Sequence, residues 1–214
     1  MDVLGDLVAR DRRSEDIALR RASRAGSYSY AKLCTNAWKA GNLLRHYGVR
    51  GGAEVAVALP EGDPTPPVVT GFFGAMLLGA PVRFVASGTV DAKALLVPTD
   101  RVTEFDAEPG CTVLAYGDEP DAATVVHFER EVWSENPTAP PDVVEADAVA
   151  LRTGDETFTH ADLLARMETA VDERGLTASS EQHIDGSLAT PDVLVDCLLA
   201  PLSVGATVVL EDSE

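Results

Sequence analysis

The chain has 214 residues, 45% of them hydrophobic, which suits a globular protein with a substantial core and argues against wholesale disorder. Its 35 acidic and 17 basic residues give a formal net charge of −18, which excludes nucleic acid and anionic membrane surfaces as natural partners. The longest apolar run, residues 68–82, is shorter than the roughly 20 residues of a membrane-spanning helix, and the N-terminus lacks a signal-peptide pattern. We therefore expect a cytoplasmic protein.

Lysine is nearly absent from the sequence, where it occurs only as Lys32, Lys39 and Lys93. Many carboxylates with few lysines are typical of proteins that work in concentrated salt, where ions screen self-repulsion and the Debye length falls to about 3 Å at 1 M. The composition therefore predicts a halophilic protein.

The three cysteines and four histidines show neither a C-x-x-C pair nor the spacing of metal ligands. We expect buried, reduced thiols and no metal site.

Taken in chain order, the first part alternates helices with strands. Residues 2–13 predict a short amphipathic helix, and residues 17–29 predict a hairpin that turns at Gly26. Ser29 is placed to cap a helix over residues 30–47, whose apolar positions recur on one face. Further on, the apolar pattern predicts strands over 53–59, 82–85, 94–97 and 112–116, and a buried helix from Pro64 to Leu78. Strands alternating with helices indicate an α/β fold with a mostly parallel, doubly wound sheet and flanking helices.

Residues 118–147 differ in composition, with nine acids, one base and four prolines. This pattern favours a surface connection with one helical turn near residues 128–133. A charge run of this kind is more often a solvated face than a binding tail.

The remaining part repeats the first at an offset of about 130 residues. The letters ALR at 18–20 recur at 150–152, and SYSYAKL at 27–33 recurs as TFTHADL at 157–163. The repeat predicts duplicated sheets. We expect a first α/β lobe over 1–117, an acidic, proline-containing connection over 118–147, and a second lobe, a partial repeat of the first, over 148–214.

The segment from SYSYAKLC to GAPVRFV, residues 27–85, resembles the opening of the AMP-dependent synthetases and ligases, which include acyl-CoA synthetases and peptide-synthetase adenylation domains. The later segments FTHADLLA and LLAPLSVGATVVL resemble parts of the same N-terminal half. This family activates carboxylates with ATP to give acyl-adenylates. The resemblance therefore implies the N-terminal fold of adenylate-forming enzymes.

The family holds the leaving phosphates with a loop of the kind Y-T-S-G-T-T-G-x-P-K-G. The corresponding segment here is only Arg152-Thr153-Gly154-Asp155-Glu156-Thr157, without the serine, second glycine, proline and lysine. Thr153 and Gly154 are the candidate remnant of this loop and the only candidate cofactor-binding residues. The alternative interpretation is a hairpin turn at Gly154-Asp155, which the repeat and the turn chemistry favour.

Other family parts have no counterpart. The sequence ends at Glu214, before the family's adenine-, magnesium- and ribose-binding motifs and its catalytic lysine. The stretch P-L-F-H of the acyl pocket corresponds at best to residues 185–188, and His160, which matches a family histidine, is expected to be structural. No catalytic residue is assigned.

The resemblance, with its missing parts, predicts a truncated, non-catalytic relative of the acyl-CoA synthetases that binds or regulates, with a full-length synthetase or a second copy of itself as partner. It is expected to need no cofactor. One alternative is a subunit of a split ligase, which would use ATP and Mg²⁺ together with a partner chain. Another is a small-molecule binding module with its ligand at the strand ends after Leu59 and Val85.

Overall fold

The structure is a computed structural model, and it describes residues 1–21, 26–60, 65–154 and 156–210. The strands are β1 Ile17–Arg21, β2 Ser27–Ser29, β3 Val55–Ala58, β4 Val82–Val85, β5 Gly88–Val90, β6 Ala94–Pro98, β7 Phe105–Ala107, β8 Thr112–Tyr116, β9 Val126–His127, β10 Val149–Thr153, β11 Glu156–Thr159, β12 Glu181–His183 and β13 Thr207–Leu210. The helices are α1 Tyr30–His46, α2 Pro66–Met76, α3 Phe128–Ser134, α4 His160–Arg174, α5 Pro191–Val193 and α6 Ala200–Ser203.

A seven-stranded sheet in the order β11-β10-β4-β3-β6-β8-β9 forms the centre of the molecule. Its neighbours are parallel except for the β10–β11 hairpin. Along β3, Val55 and Val57 belong to the main hydrophobic core, while Ala56 and Ala58 belong to a second cluster with β5 and β6. Both faces of this strand are therefore covered, and the predicted, mostly parallel α/β fold is confirmed.

The two repeats exchange their hairpins. A second sheet has the order β12-β13-β1-β2, so the hairpin of the first repeat lies beside strands of the second. Leu19 of β1 pairs in parallel with Val208 of β13, and Leu151 of β10 pairs in the same way with Val82 of β4. These are equivalent positions of the two repeats. The predicted division of the chain into two lobes joined by residues 118–147 stays a prediction. Each sheet contains strands from before and from after this segment.

Helices α1 and α2 pack closely through glycine. Ser29 caps α1 as predicted, since its side chain accepts the N–H of Lys32 at 3.2 Å. A Cβ added at Gly74 of α2 would lie 2.8 Å from the backbone nitrogen of Gly41 on α1. The absence of a side chain at Gly74 therefore permits the close packing of α1 and α2. Pro64, predicted at the start of α2, and the tip of the first hairpin, residues 22–25, lie outside the described residues.

The amphipathic helix predicted over 2–13 is wrong. The segment instead forms two 3₁₀-helices, Leu4–Val8 and Arg10–Arg12, interrupted at Ala9 by extended backbone with a ψ of 165°. Leu4, Leu7 and Val8 are buried, and this burial fixes the path of the segment. Packing onto the core has therefore overridden the helical periodicity.

The helix after Pro191 contains a π-helix, Leu194–Leu199, between α5 and α6. Pro201 follows this segment. A proline lacks the N–H for the carbonyl four residues earlier, here that of Cys197, and its ring crowds that carbonyl. The wider π turn, Leu194–Leu199, contains the carbonyl of Cys197, where this interruption falls.

The acidic segment 118–147 lies against α1. It contains β9, at one edge of the large sheet, and α3, where a helical turn was predicted. The amide of Asn42 donates to the carbonyl of Thr138 at 2.8 Å, and Arg45 lies 3.1 Å from Asp142. Among the helices of the described ranges, none combines the length and apolarity needed to cross a bilayer.

Candidate ligand site at the ends of the strands

The segment proposed as a phosphate-loop remnant forms a hairpin turn. Thr153 ends β10 and pairs with Glu156, the first residue of β11, so only two residues connect the strands. Gly154 has a φ of +53°, in the left-handed region that favours glycine, and a Cβ built on it meets nothing within 4 Å. Asp155, the other predicted turn residue, lies outside the described residues. A phosphate contact by Thr153 and Gly154 stays a prediction.

The basic residues nearest this turn are Arg152 in sequence and Arg83 in strand register, and both contact the carboxylate of Glu54. Arg83 Nε lies 2.7 Å from Glu54 Oε1, and Arg152 Nε lies 3.5 Å from Glu54 Oε2. Arg152 immediately precedes Thr153, and Arg83 is its register partner on β4. A phosphate at the turn would therefore compete with Glu54 for these two guanidinium groups.

A small cleft lies at the strand ends where sequence analysis placed a ligand. Its volume is about 270 Å³, and Leu59 and Val85 line it together with Ser187. Ser187 belongs to the stretch matched to the family's acyl pocket. Arg101 closes one side of this strand-end cleft by donating to the carbonyls of Leu59 and Ala86, at 2.5 and 2.6 Å.

A larger cleft of about 540 Å³, which we call the main cleft, lies at the carboxyl ends of β6 and β8. Thr65 and Pro66 at the start of α2 form one wall, Thr99 and Tyr116 another, and Tyr28 lines it from the hairpin of the second sheet. Open parallel sheets place ligands at this edge, and the volume suits a small organic molecule.

Acidic side chains dominate the main cleft. Asp100, Asp118 and Glu129 line it, against Arg21 as the basic residue. Burial raises the pKa of Tyr28, and the nearby Glu129 carboxylate raises it further. A neutral or cationic group therefore fits this lining better than a triphosphate does.

His160, the first residue of α4, is structural in this fold. It is fully buried, its Nδ1 accepts the N–H of Leu4 at 3.2 Å, and burial lowers its pKa to about 4. The neutral ring thus anchors the N-terminal segment. Within the described ranges no group of three or more His, Cys, Asp or Glu side chains is placed to hold a metal ion.

The Cys34 thiol is unsuited to nucleophilic chemistry. Cys34 and Cys197 are buried and Cys111 is half-buried, and all three are free. Burial raises the pKa of Cys34 to about 11, so its thiolate is scarce at neutral pH.

A third cleft, not predicted from the sequence, lies between α1 and α3. Lys32 and Lys39 line it with Trp133, whose side chain is largely exposed. The sequence does contain an indication of this cleft. Two of the three lysines are seven residues apart on the predicted helix, which places them on one face.

Comparisons with known proteins identify the fold. No protein-family model and no curated protein sequence matches the chain. Among solved structures, it resembles the anthranilate CoA ligase AuaEII in complex with anthranoyl-AMP, with a TM-score of 0.81 at 19% identity. It resembles a benzoate CoA ligase from Burkholderia xenovorans with a TM-score of 0.80 at 20% identity, and the nonribosomal peptide synthetase FmoA3 with 0.76 at 19%.

The three alignments cover 99%, 100% and 97% of this chain but only 45%, 46% and 22% of the matched ones. The chain thus spans less than half the length of the CoA ligases it matches. At these identities the likeness concerns the fold, and it agrees with the resemblance found in residues 27–85. The described part of the chain therefore has the fold of the N-terminal part of the adenylate-forming ligases.

Proposed function

We propose that this chain is a binding or regulatory protein, built on part of the ligase fold, that does not itself form acyl-adenylates. It acts in the cytoplasm of a salt-loving organism, and a full-length synthetase or a second copy of the chain is its protein partner. The observation that carries the proposal is the two-residue connection between Thr153 and Glu156 at the phosphate-loop position.

The physical argument rests on charge and on hydrogen-bond donors. A phosphate cradle gathers several backbone N–H groups and a cation around the leaving pyrophosphate. The tight turn supplies few such donors, and Arg152 already faces Glu54 at 3.5 Å. The Glu156 carboxylate adds repulsion, because two like charges about 4 Å apart cost on the order of 4 kcal/mol at an effective dielectric of 20.

The direct test is ATP–pyrophosphate exchange with a panel of carboxylic acids, including anthranilate and benzoate, in concentrated KCl. The Burkholderia xenovorans benzoate CoA ligase, assayed in a buffer that suits it, is the positive control. We expect no exchange above a no-enzyme blank. Exchange by the chain alone that disappears in Thr153→Ala would refute the proposal and assign the turn a phosphate contact. Exchange that requires a second polypeptide would favour the split-ligase alternative instead.

A second candidate is small-molecule binding without chemistry, which the 540 Å³ main cleft favours. ATP, AMP and CoA are the probes for a thermal-shift screen under the same salt. Stabilisation by a ligand at concentration [L] is RT ln(1 + [L]/Kd), so about 100-fold excess over Kd gives a readily measured shift. Thr99→Val and Asp118→Asn are the variants that test whether the ligand binds in the main cleft. Tyr116→Phe is less suitable, because it also removes a hydroxyl that donates to the carbonyl of Ala58 within the protein.

A further inference from the structure

The third cleft, between α1 and α3, combines features that point to a ligand of a definite chemical class. Its volume is about 430 Å³. We call it the lysine groove. One side is formed by α1 and the other by α3, and the residues that matter here are Lys32, Asn36 and Lys39, with Phe128, Val132 and Trp133.

The two lysines are the first observation. In the described parts of the chain no carboxylate lies within ion-pair distance of either ammonium group, although the net charge is −18. The Lys32 ammonium lies 3.8 Å from the centre of the Tyr28 ring, and that of Lys39 lies 5.5 Å from the centre of the Trp133 ring. Lys39 also donates to the Trp133 carbonyl at 2.7 Å, which leaves two of its three N–H donors for a ligand.

Trp133 is the second observation. Its side chain is 84% exposed, which is unusual for the largest apolar residue type, whereas Phe128 and Val132 beside it are buried. The Lys39 ammonium lies 5.5 Å from the ring centre, and the largely exposed indole beside it offers a flat surface for stacking. Apart from Glu129, the α3 side of the groove is therefore apolar, and the α1 side is polar and cationic.

Glu129 of α3 also lines the groove and keeps its negative charge there. Its Oε1 accepts the N–H of Gly117 at 2.9 Å, and its Oε2 lies 3.6 Å from His127 Nε2. Two lysines against one glutamate leave the lining of the groove with a net positive charge, and the Cα atoms of Lys32 and Lys39 lie about 10 Å apart along the helix axis at 1.5 Å per residue.

We propose that the lysine groove binds an organic anion with a planar, apolar body, whose ring stacks on Trp133 and whose anionic group contacts the Lys39 ammonium. Lys32, which lies two turns away from Lys39 on α1, adds a weaker attraction to the anionic group. The site is separate from the Thr153–Gly154 turn, since α3 follows β9 at one edge of the large sheet and the turn joins the strands at the other edge. The proposal goes beyond the proposed function and does not require it.

The chain offers a clean experiment because it has only two tryptophans, Trp38 and Trp133. Trp38 is 5% exposed, and its indole N–H donates to the Val8 carbonyl at 2.8 Å. In ¹⁵N-labelled protein the two indole N–H signals can therefore be followed separately by NMR, and Trp133→Phe assigns them. The probes are naphthalene-2-carboxylate, its neutral carboxamide, and acetate, titrated without ATP so that adenylate formation plays no part.

We expect the carboxylate to shift the Trp133 signal saturably and to leave the Trp38 signal in place, while acetate and the carboxamide bind several-fold more weakly. Lys39→Gln should weaken binding about two- to fivefold, the range of an exposed ion pair, and Lys32→Gln should weaken it less. Trp133→Ala should weaken it about fivefold or more, as measured by calorimetry, because one stacking surface is lost.

Lys93→Gln is the matched control, since it removes the same charge from the third lysine, outside the groove. Equal losses in Lys39→Gln and Lys93→Gln would overturn the proposal, and so would equal affinity for carboxylate and carboxamide. An acidic peptide that shifts the Trp133 signal when naphthalene-2-carboxylate does not would overturn it as well, in favour of a protein partner at this surface.

Discussion

Lowering the pH toward 4 should destabilise this protein through His160 in particular. The ring is fully buried and accepts the N–H of Leu4, and burial lowers its pKa from 6.5 to about 4. In the unfolded chain the same ring takes a proton near pH 6.5. Between these two values the unfolded state binds more protons than the folded state, so stability falls as the pH falls through this window.

The magnitude follows from the shift. Because one pKa unit corresponds to 1.36 kcal/mol, the free energy of unfolding should lose about 2.5 kcal/mol between pH 7.5 and pH 4.5 from His160 alone. The assay is urea unfolding followed by circular dichroism at several pH values, in constant KCl. Acid also protonates carboxylates in a chain of net charge −18, so the quantity to compare is the difference between wild type and variant.

His160→Asn retains an acceptor near the position of Nδ1 and removes the titration, so its pH dependence over this window should be flatter by about the same 2.5 kcal/mol. Its stability at neutral pH should be lower, because a smaller side chain leaves a cavity. His46→Asn, at an exposed position near the end of α1, is the matched control for the substitution itself. If His160→Asn and wild type lose equal stability on acidification, the argument from burial is wrong.

Two further predictions concern packing and charge. Gly74→Ala should lower the free energy of unfolding by about 1–3 kcal/mol, because its Cβ would lie 2.8 Å from the Gly41 nitrogen, whereas Gly117→Ala, with no neighbour within 4 Å of the new Cβ, should show only the cost of its positive φ. Raising KCl from about 0.1 M to 2 M should raise the thermal midpoint as screening offsets the charge of −18, and an unchanged midpoint would contradict the halophilic interpretation.

Sequence patterns predicted most elements of the fold because these elements depend on local periodicity. The Ser29 cap, the buried α2 and the strands β3, β4, β6 and β8 follow from spacing and turn residues that the chain carries locally. Two features could not be predicted from local patterns: the 3₁₀ geometry of residues 4–12 and the π-helix before Pro201. Each depends on contacts or crowding that the apolar pattern does not encode.

The candidate site was only partly predictable for the same reason. The strand ends after Leu59 and Val85 do line one cleft, as the rule for open parallel sheets implies. The main cleft and the lysine groove both depend on Tyr28, which lies on the hairpin of the second sheet. No single-sequence pattern reports that the hairpin is placed there.

The exchange of hairpins also bears on how the chain holds together. Repeats at a fixed offset suggest two units that each fold locally, yet Leu19 finds its partner at Val208 and Leu151 finds its partner at Val82. These pairings are almost 190 and 70 residues apart in sequence, so neither sheet is complete until both repeats are present. Each exchanged hairpin leads directly into a helix of its own repeat, α1 or α4, so each repeat contributes strands to both sheets.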